Sequence, residues 1–304
     1  FLFFYYVQVI GLQGSLVGLA LLIALLFDGI SDPLIGQLSD RTNTRLGRRH
    51  PYLYLAPLPL AFALYMLFDP PAGLGQWGTF FWLLGFTAFC RLMQSVYFIP
   101  HMALGAELST DFRERISVSG YRNIFAFAGR LLVLGIAFSI FLHATPDYPQ
   151  GQLNKAAYPP LALTCGAIAL IVILVSAATT QKRALQYYSR MQSQGRGQIH
   201  EPMLRNLVNA FRLRTFAIFF VAILISYVLG GVQAALAVHV NTFYWKLPTW
   251  GIQWVFLGAA SGFMLGSLFA RALADRFDKR TAYVASVVLS VTLNVAPIGL
   301  REAG

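Results

Sequence analysis

Long apolar runs alternate with short polar connections along the whole chain. A partial run at 1–10 is followed by runs near 16–38, 51–68, 79–104, 117–142, 158–178, 215–239, 251–271 and 281–300. A helix of about 20 apolar residues spans the hydrocarbon core of a bilayer. The runs lack the period-2 alternation of barrel strands, and only helices or closed barrels satisfy their backbone in lipid. The pattern therefore predicts an all-α membrane protein.

Composition agrees. The 304 residues are 57% hydrophobic and 12% charged, about half the charged share of a soluble domain. A net charge of +11 would suit nucleic acid, but its placement does not. Taking alternate loops as one side, seventeen Lys and Arg fall together and only two, Lys155 and Lys246, fall opposite. That is the positive-inside bias, so the basic loops are assigned to the cytoplasm. The charge then reports topology and contact with anionic membrane lipid, with no nucleic-acid partner. Cys90 and Cys165 lie inside spans and form neither a disulfide framework nor a metal motif. No phosphate-binding Gly loop, zinc motif or Ser-His-Asp set is present, so the chain is read as no enzyme and as needing no cofactor.

One connection stands apart. Residues 179–214 are long and basic, with a Ser/Gly/Gln-rich stretch at Gln192–Ile199 and an amphipathic segment presenting Met203, Leu204, Leu207, Val208 and Phe211 on one face. Six spans separate "SDRTNTRLGRR" from "ADRFDKR", and each puts Asp-Arg at the basic end of a span. The repeat suggests two parallel halves: an N-terminal bundle at 1–178, a cytoplasmic linker at 179–214, and the start of a C-terminal bundle at 215–304. Two six-helix bundles with a site between them resemble the major facilitator fold. The chain is expected to enter part-way through a first helix and to stop after the ninth of twelve.

The stretch "FDGISDPLIGQLSDRTNTRLGRRHP" places Asp28 and Asp32 inside an apolar run. At spacing i, i+4 they share a helix face. A charged residue at the helix centre costs roughly 2.5–3.5 kcal/mol on the insertion scale, and an intramembrane carboxylate marks function by default. Two like charges so close need a proton, a cation or a basic partner. Pro33 removes a backbone donor and frees carbonyls near Gly29. With Ser31 these form a set of hard oxygens suited to Na⁺ or H⁺. The alternative is a structural ion-pair network. Arg91 lies as deep in the fourth span as Asp28 does in the second, Arg122 enters the fifth near the depth of Asp32, and Arg130 is near mid-membrane.

The same stretch, together with "IPHMALGAELSTDFRER" and "GYRNIFAFAG", resembles the glycoside–pentoside–hexuronide cation symporters, the melibiose permease family. The resemblance implies a secondary active transporter that couples Na⁺ or H⁺ to symport of a sugar, glycoside or similar small polar solute by alternating access. It implies that Asp28, Asp32 and Ser95 bind the cation, with Ser31 added from the oxygen set above, Asp28 and Asp32 being the metal ligands if the cation is Na⁺. It places Arg122 against the solute, with Arg91, Gln94 and Gln233 as further candidates. It implies a cytoplasmic gate from Asp40, Arg41, Arg45, Gly47, Arg48, Arg49, Glu107, Asp111 and Arg115. Two positions depart from melibiose permease: Phe98 replaces an aspartate and Met102 an aromatic. Arg91 and Arg130 are additions. A lysolipid carrier on the same fold and a non-transporting membrane scaffold or receptor are the other readings. The protein is expected to work as a monomer in a bacterial inner membrane.

Elsewhere, Gly258, Gly262 and Gly266 read as helix-packing positions. Gly230–Gly231 suits either a bend or packing. His239 reads as a solvated interfacial residue, and "NTFYWKLPTW" as an interfacial aromatic belt. Tyr97, Tyr121 and Tyr227 could stack on a sugar ring or simply pack.

Single cysteines placed at 39–50, 105–116, 179–214 or 272–280 are expected to resist an impermeant thiol reagent added to intact cells. Rapid labelling at 39–50 and 179–214 would invert the topology.

Overall fold

A computed structural model describes residues 1–107, 112–193, 211–259, 261, 262, 285, 288 and 292. Among them there is helix and no strand. A short helix α1 (Leu2–Phe4) runs into a π-helical turn at Tyr5–Val9. Then come α2 (Gly14–Arg41), α3 (His50–Leu55) continuing into α4 (Pro57–Phe68), α5 (Gln76–Glu107), α6 (Phe112–Ile136), α7 (Tyr158–Ser193) and α8 (Arg214–His239). Six of these segments are long and apolar enough to cross a membrane. They coincide with six of the runs read from the sequence. The run at 251–271 is helical over 251–259. The run at 281–300 lies outside the described residues apart from isolated positions, as does most of the amphipathic segment.

Helix α7 continues to Ser193, well past the apolar run that ends at 178. Its extension carries the run Gln181, Lys182, Arg183, Ala184, Leu185 and Gln186. These residues lose little side-chain freedom in a helix and keep one going in water. The first part of the segment read as linker is therefore helical.

Helices α2 and α5 pack against each other in parallel with a constant offset of 63 residues. Near the outer end, away from the basic loops, Gln76 Oε1 accepts from the Gln13 amide at 3.0 Å, a pair 63 apart. In the middle Arg91 meets Asp28, again 63 apart. Lower down, Gly36 would place a Cβ 3.8 Å from Ile99. Between these points the facing residues are small or apolar. Val17, Ala20 and Ala24 are buried on α2, and Phe80, Leu83 and Thr87 on α5. Their spacing of three to four residues is the contact stripe of a helix pair.

The span α3–α4 lies antiparallel to α7. His50 Nε2 is 3.2 Å from Thr180 Oγ1, and Tyr54 donates to Gln181 Oε1 at 2.9 Å. Further along, a Cβ on Gly166 would sit 3.2 Å from Ala61 Cβ. Glycine lets these backbones approach, and packing of small residues holds helices together where lipid offers no hydrophobic drive.

A second contact joins the two halves of the chain at the outer end. Gln152 is fully buried. Its Nε2 donates to Thr242 Oγ1 at 3.2 Å, its Oε1 accepts from Thr249 Oγ1 at 3.1 Å, and its backbone carbonyl accepts from Tyr158 Oη at 2.6 Å. Gln253 donates to Ser139 Oγ at 2.9 Å beside it. The apolar surround is Tyr5, Tyr6, Phe138, Leu142 and Ile252. His239 joins this seam. It hydrogen-bonds Gln8 at 2.5 Å and meets the Phe4 ring edge-on at 5.3 Å. The solvated interfacial reading of His239 is corrected: it is a half-buried bridge between α8 and the first helical segment.

Leucine at position 152 would leave the Thr242 hydroxyl without its Gln152 donor and the Thr249 hydroxyl without its Gln152 acceptor, although Thr249 would keep the Gly151 amide. Gln152→Leu is expected to cost about 1–3 kcal/mol, seen as a lower melting temperature of the detergent-solubilised protein. An unchanged melt would show that the seam carries no stability.

Candidate cation and solute site

Asp28 and Arg91 each sit at the midpoint of their helix, Gly14–Arg41 and Gln76–Glu107. Arg91 Nη1 donates to Asp28 Oδ2 at 2.5 Å. A charge-assisted pair of this kind is stronger than a neutral hydrogen bond. It uses one carboxylate oxygen. Asp28 Oδ1 is buried with no hydrogen-bond partner, and so is Asp32 Oδ1 one turn further on. Buried polar atoms are nearly always paired, so two orphan carboxylate oxygens on one helix face call for an occupant.

The 63-residue register places Ser95 level with Asp32, and Ser95 is nine-tenths buried. Ser31 is buried on the same turn as the aspartates and makes only a long 3.5 Å contact to the Asp28 carbonyl. Each helix also carries a proline, Pro33 in α2 and Pro100 in α5. Neither can donate from its nitrogen, so the carbonyls of Gly29 and Val96 lose their helical donors. These fall beside Asp28 and Ser95 respectively. The sequence reading used Pro33 and missed Pro100. It also missed Thr87, one turn above Arg91, whose hydroxyl is buried without a partner. The only signal in the sequence was its spacing of four from Arg91.

The donors are thus carboxylate, hydroxyl and carbonyl oxygens. No group of three or more His, Cys, Asp or Glu occurs among the described residues. Such a set fits a small hard cation better than a transition metal.

The other candidates are more dispersed. Arg122 donates to Met102 Sδ and not to Asp32. Phe98 is half-exposed on the α5 turn that follows Ser95. Gln94 and Gln233 are exposed. Arg130 is exposed on α6, with its guanidinium 5.5 Å from the Phe127 ring centre. Tyr121 and Tyr227 are exposed, while Tyr97 stacks on His101 at 5.1 Å.

At the basic end the motif forms a compact clasp. Thr42 donates to the Leu38 carbonyl at 2.8 Å and lies 2.6 Å from Tyr52 Oη. The turn closes as Thr44 Oγ1 donates to the Gly47 carbonyl at 2.8 Å. Gly47 has φ +95°, a conformation that only glycine adopts without strain. This turn swings Arg48 and Arg49 back onto the end of α2. Arg49 is buried. It reaches Asp40 Oδ1 at 2.7 Å and donates to Ser39 Oγ at 2.8 Å. Arg48 adds a looser contact to Asp40 at 3.7 Å. Arg41 and Arg45 point to solvent. The side chains of Glu107, Asp111 and Arg115 lie outside the described residues.

The family model for MFS/sugar transport proteins matches residues 1–303. The chain belongs to this family. It is 30% identical to an uncharacterized symporter of Synechocystis over 67% of its length and 36% of that protein's. It is 25% identical to the putative glycoside/cation symporter YagG of Escherichia coli over 97% of its length and 61% of the relative's. It is 28% identical to the sodium-dependent lysophosphatidylcholine symporter 1 of Mus musculus over 50% of its length and 29% of that protein's. The chain thus spans less than two thirds of these relatives. Family and apolar helices together make it an integral membrane protein of the major facilitator type.

Arg49 serves two acceptors with one planar fork, which an ammonium cannot reproduce. Arg49→Lys is therefore expected to destabilise the protein nearly as much as Arg49→Gln, by about 1–2 kcal/mol given the partial exposure of Asp40, seen as a lower melting temperature. Full stability in the Lys variant would show that only the charge matters.

Proposed function

We propose that this protein is a secondary active transporter that couples a monovalent cation, Na⁺ or H⁺, to symport of a sugar, glycoside or similar small polar solute by alternating access. The observation that carries the reading is the pair of buried carboxylate oxygens, Asp28 Oδ1 and Asp32 Oδ1, left without partners at mid-membrane. A purely structural network would satisfy them, and only one of its expected ion pairs, Arg91 to Asp28, is formed. The glycoside in the name of the YagG relative supports the solute class.

In this mechanism the cation binds between α2 and α5 and neutralises the aspartates. Asp28, Asp32, Ser31 and Ser95 supply its oxygens. The filled site stiffens the helix pair beside Arg122, Gln94 and, from the second half, Gln233, which hold the solute. The halves then rock. The Gln152 seam at the outer end and the Arg49–Asp40 clasp at the basic end belong to regions that would reorganise between states. Cation and solute each shift the balance only through unequal affinity for the two states. Their coupling is reciprocal.

A lysolipid or amphiphile carrier is the second reading. It is favoured by Phe98 and Met102 on the α5 face and by the name of the mouse relative. The bacterial inner membrane and a monomeric state belong to the first reading.

The test is uptake by the full-length protein in proteoliposomes, for a panel of glycosides and lysolipids, under Na⁺ and proton gradients. Asp28→Asn and Asp32→Asn are each expected to abolish the gradient-stimulated part, at least tenfold, while the protein still inserts. Asn keeps the size and one oxygen but removes the charge that attracts the cation. Uptake that ignores both gradients, or that survives both substitutions, would defeat the symport reading. Accumulation of lysolipids alone would select the second.

A further inference from the structure

We propose that Arg91 is a tethered competitor for the coupling cation. Its guanidinium holds Asp28 while the site is empty, and an arriving cation displaces it toward the solute side of α5. The proposal rests on the symport reading and adds to it the residue that links the two ligands.

Of the guanidinium groups near this level, Arg91 pairs with an aspartate, while Arg122 turns to Met102. Arg91 engages only Asp28 Oδ2, and the inner oxygens of both aspartates stay buried and bare. A planar guanidinium fixed on Oδ2 does not serve them. A compact cation between Asp28 and Asp32 would. A cation on Oδ1 and the guanidinium on Oδ2 would share one carboxyl group, and their mutual repulsion, strong where the dielectric is low, loosens the Arg91 contact.

Arg91 is the partner able to leave. Its side chain is 36% exposed against 17% for Asp28. Asp28 is the more buried partner on α2, while the arginine sits on a long flexible stem. Gln94, one turn further along α5, is exposed as well. Departure does not require the helices to separate. The α2–α5 contact is held above by Val17, Ala20 and Ala24 against Phe80 and Leu83, and below by Gly36 against Ile99.

The consequence is a direct link between the two ligands. With the cation absent, the guanidinium is spent on Asp28. With the cation present, its donors become free for acceptor oxygens of the solute. Cation binding then raises solute affinity, and solute raises cation affinity by the same factor. Arg91 is a positioning residue in this scheme, since it acts by yielding a ligand of the cation.

The test uses Na⁺ alone as probe on the purified full-length protein. The readout is the Na⁺ concentration that half-saturates its effect on melting temperature. Wild type is compared with Arg91→Gln and Arg91→Gly, both checked for monodispersity. The scheme expects Na⁺ to act at a concentration at least tenfold lower in both variants, equivalent to about 1.4 kcal/mol. A Na⁺ effect seen in the variants and missing from wild type is the same outcome. Guanidinium chloride at millimolar concentration should compete with Na⁺ in Arg91→Gly and not in wild type, because it refills the vacated place. If Arg91→Gln does not fold, guanidinium added during purification of Arg91→Gly both supports that variant and supplies the competition arm. Unchanged or weaker Na⁺ action in both variants, or equal guanidinium effects on wild type and Arg91→Gly, would overturn the proposal. Gradient-driven uptake by wild type, measured separately, keeps the symport reading distinct: it can stand while this inference fails.

Discussion

A guanidinium and a carboxylate meet at the centre of two parallel helices, with apolar contacts above and below them. The register of α2 on α5 decides what else can sit there. At an offset of 63 residues, Asp28 faces Arg91, Asp32 faces Ser95, and the carbonyls freed by Pro33 and Pro100 fall on either side. Sliding one helix by a turn would set Asp28 against Thr87 or Ser95 and leave Arg91 without its carboxylate. The small residues Ala20, Ala24 and Gly36 bring the backbones close enough for the polar level to form. Polar centre and apolar flanks are one device: the flanks set the register, and the register places the oxygens.

The ends of the structure are held by different chemistry. At the outer end the two halves meet through neutral groups, Gln152 with Thr242 and Thr249, inside an aromatic and aliphatic shell. At the basic end the described contact is ionic and stays within the first half, Arg49 and Arg48 on Asp40. A neutral seam excludes water and loses all its bonds together if it opens. An ionic clasp with a partly exposed carboxylate exchanges protein partners for water at lower cost. This asymmetry suits the alternating access proposed above, in which the two ends would open at different times.

The spans were legible because a bilayer imposes a length and a polarity that few soluble sequences match. The depth of Asp28 and Arg91 was legible too, since counting from the helix starts places both near mid-membrane. Depth matched Arg91 to Asp28, and that pair forms. It also put Arg122 near Asp32, where Arg122 turns instead to Met102; that choice depends on the rotation of α5 and α6, which hydropathy does not encode. The Gln152 seam was invisible for another reason. Its partners lie 90 and 97 residues away, and an isolated Gln in a loop carries no periodicity. The contacts of His239 were hidden because its belt-like neighbours suggest only an interface, whereas Gln8 hydrogen-bonds it and Phe4 packs on its ring. The extension of α7 was hidden by polarity: apolar length marks where a helix leaves the lipid, not where it stops.

The solute wall follows from what Arg122 does with its charge. Its hydrogen bond goes to the thioether of Met102. Sulfur in a thioether is a weak acceptor, so the remaining donors of that guanidinium stay open to an oxygen-rich ligand. One turn earlier, half-exposed Phe98 offers an apolar face. A fork of donors beside a flat apolar ring can grip the hydroxyls of a sugar while its carbon face rests on the ring, and it can equally grip an anionic headgroup while the ring meets an alkyl stem. The fork alone does not choose between them. The choice falls to the volume beyond Phe98, because a pyranose ends where an acyl chain must continue. In the proposed transporter, discrimination would then be set by how far the apolar wall extends past that ring, with the charge common to both kinds of solute.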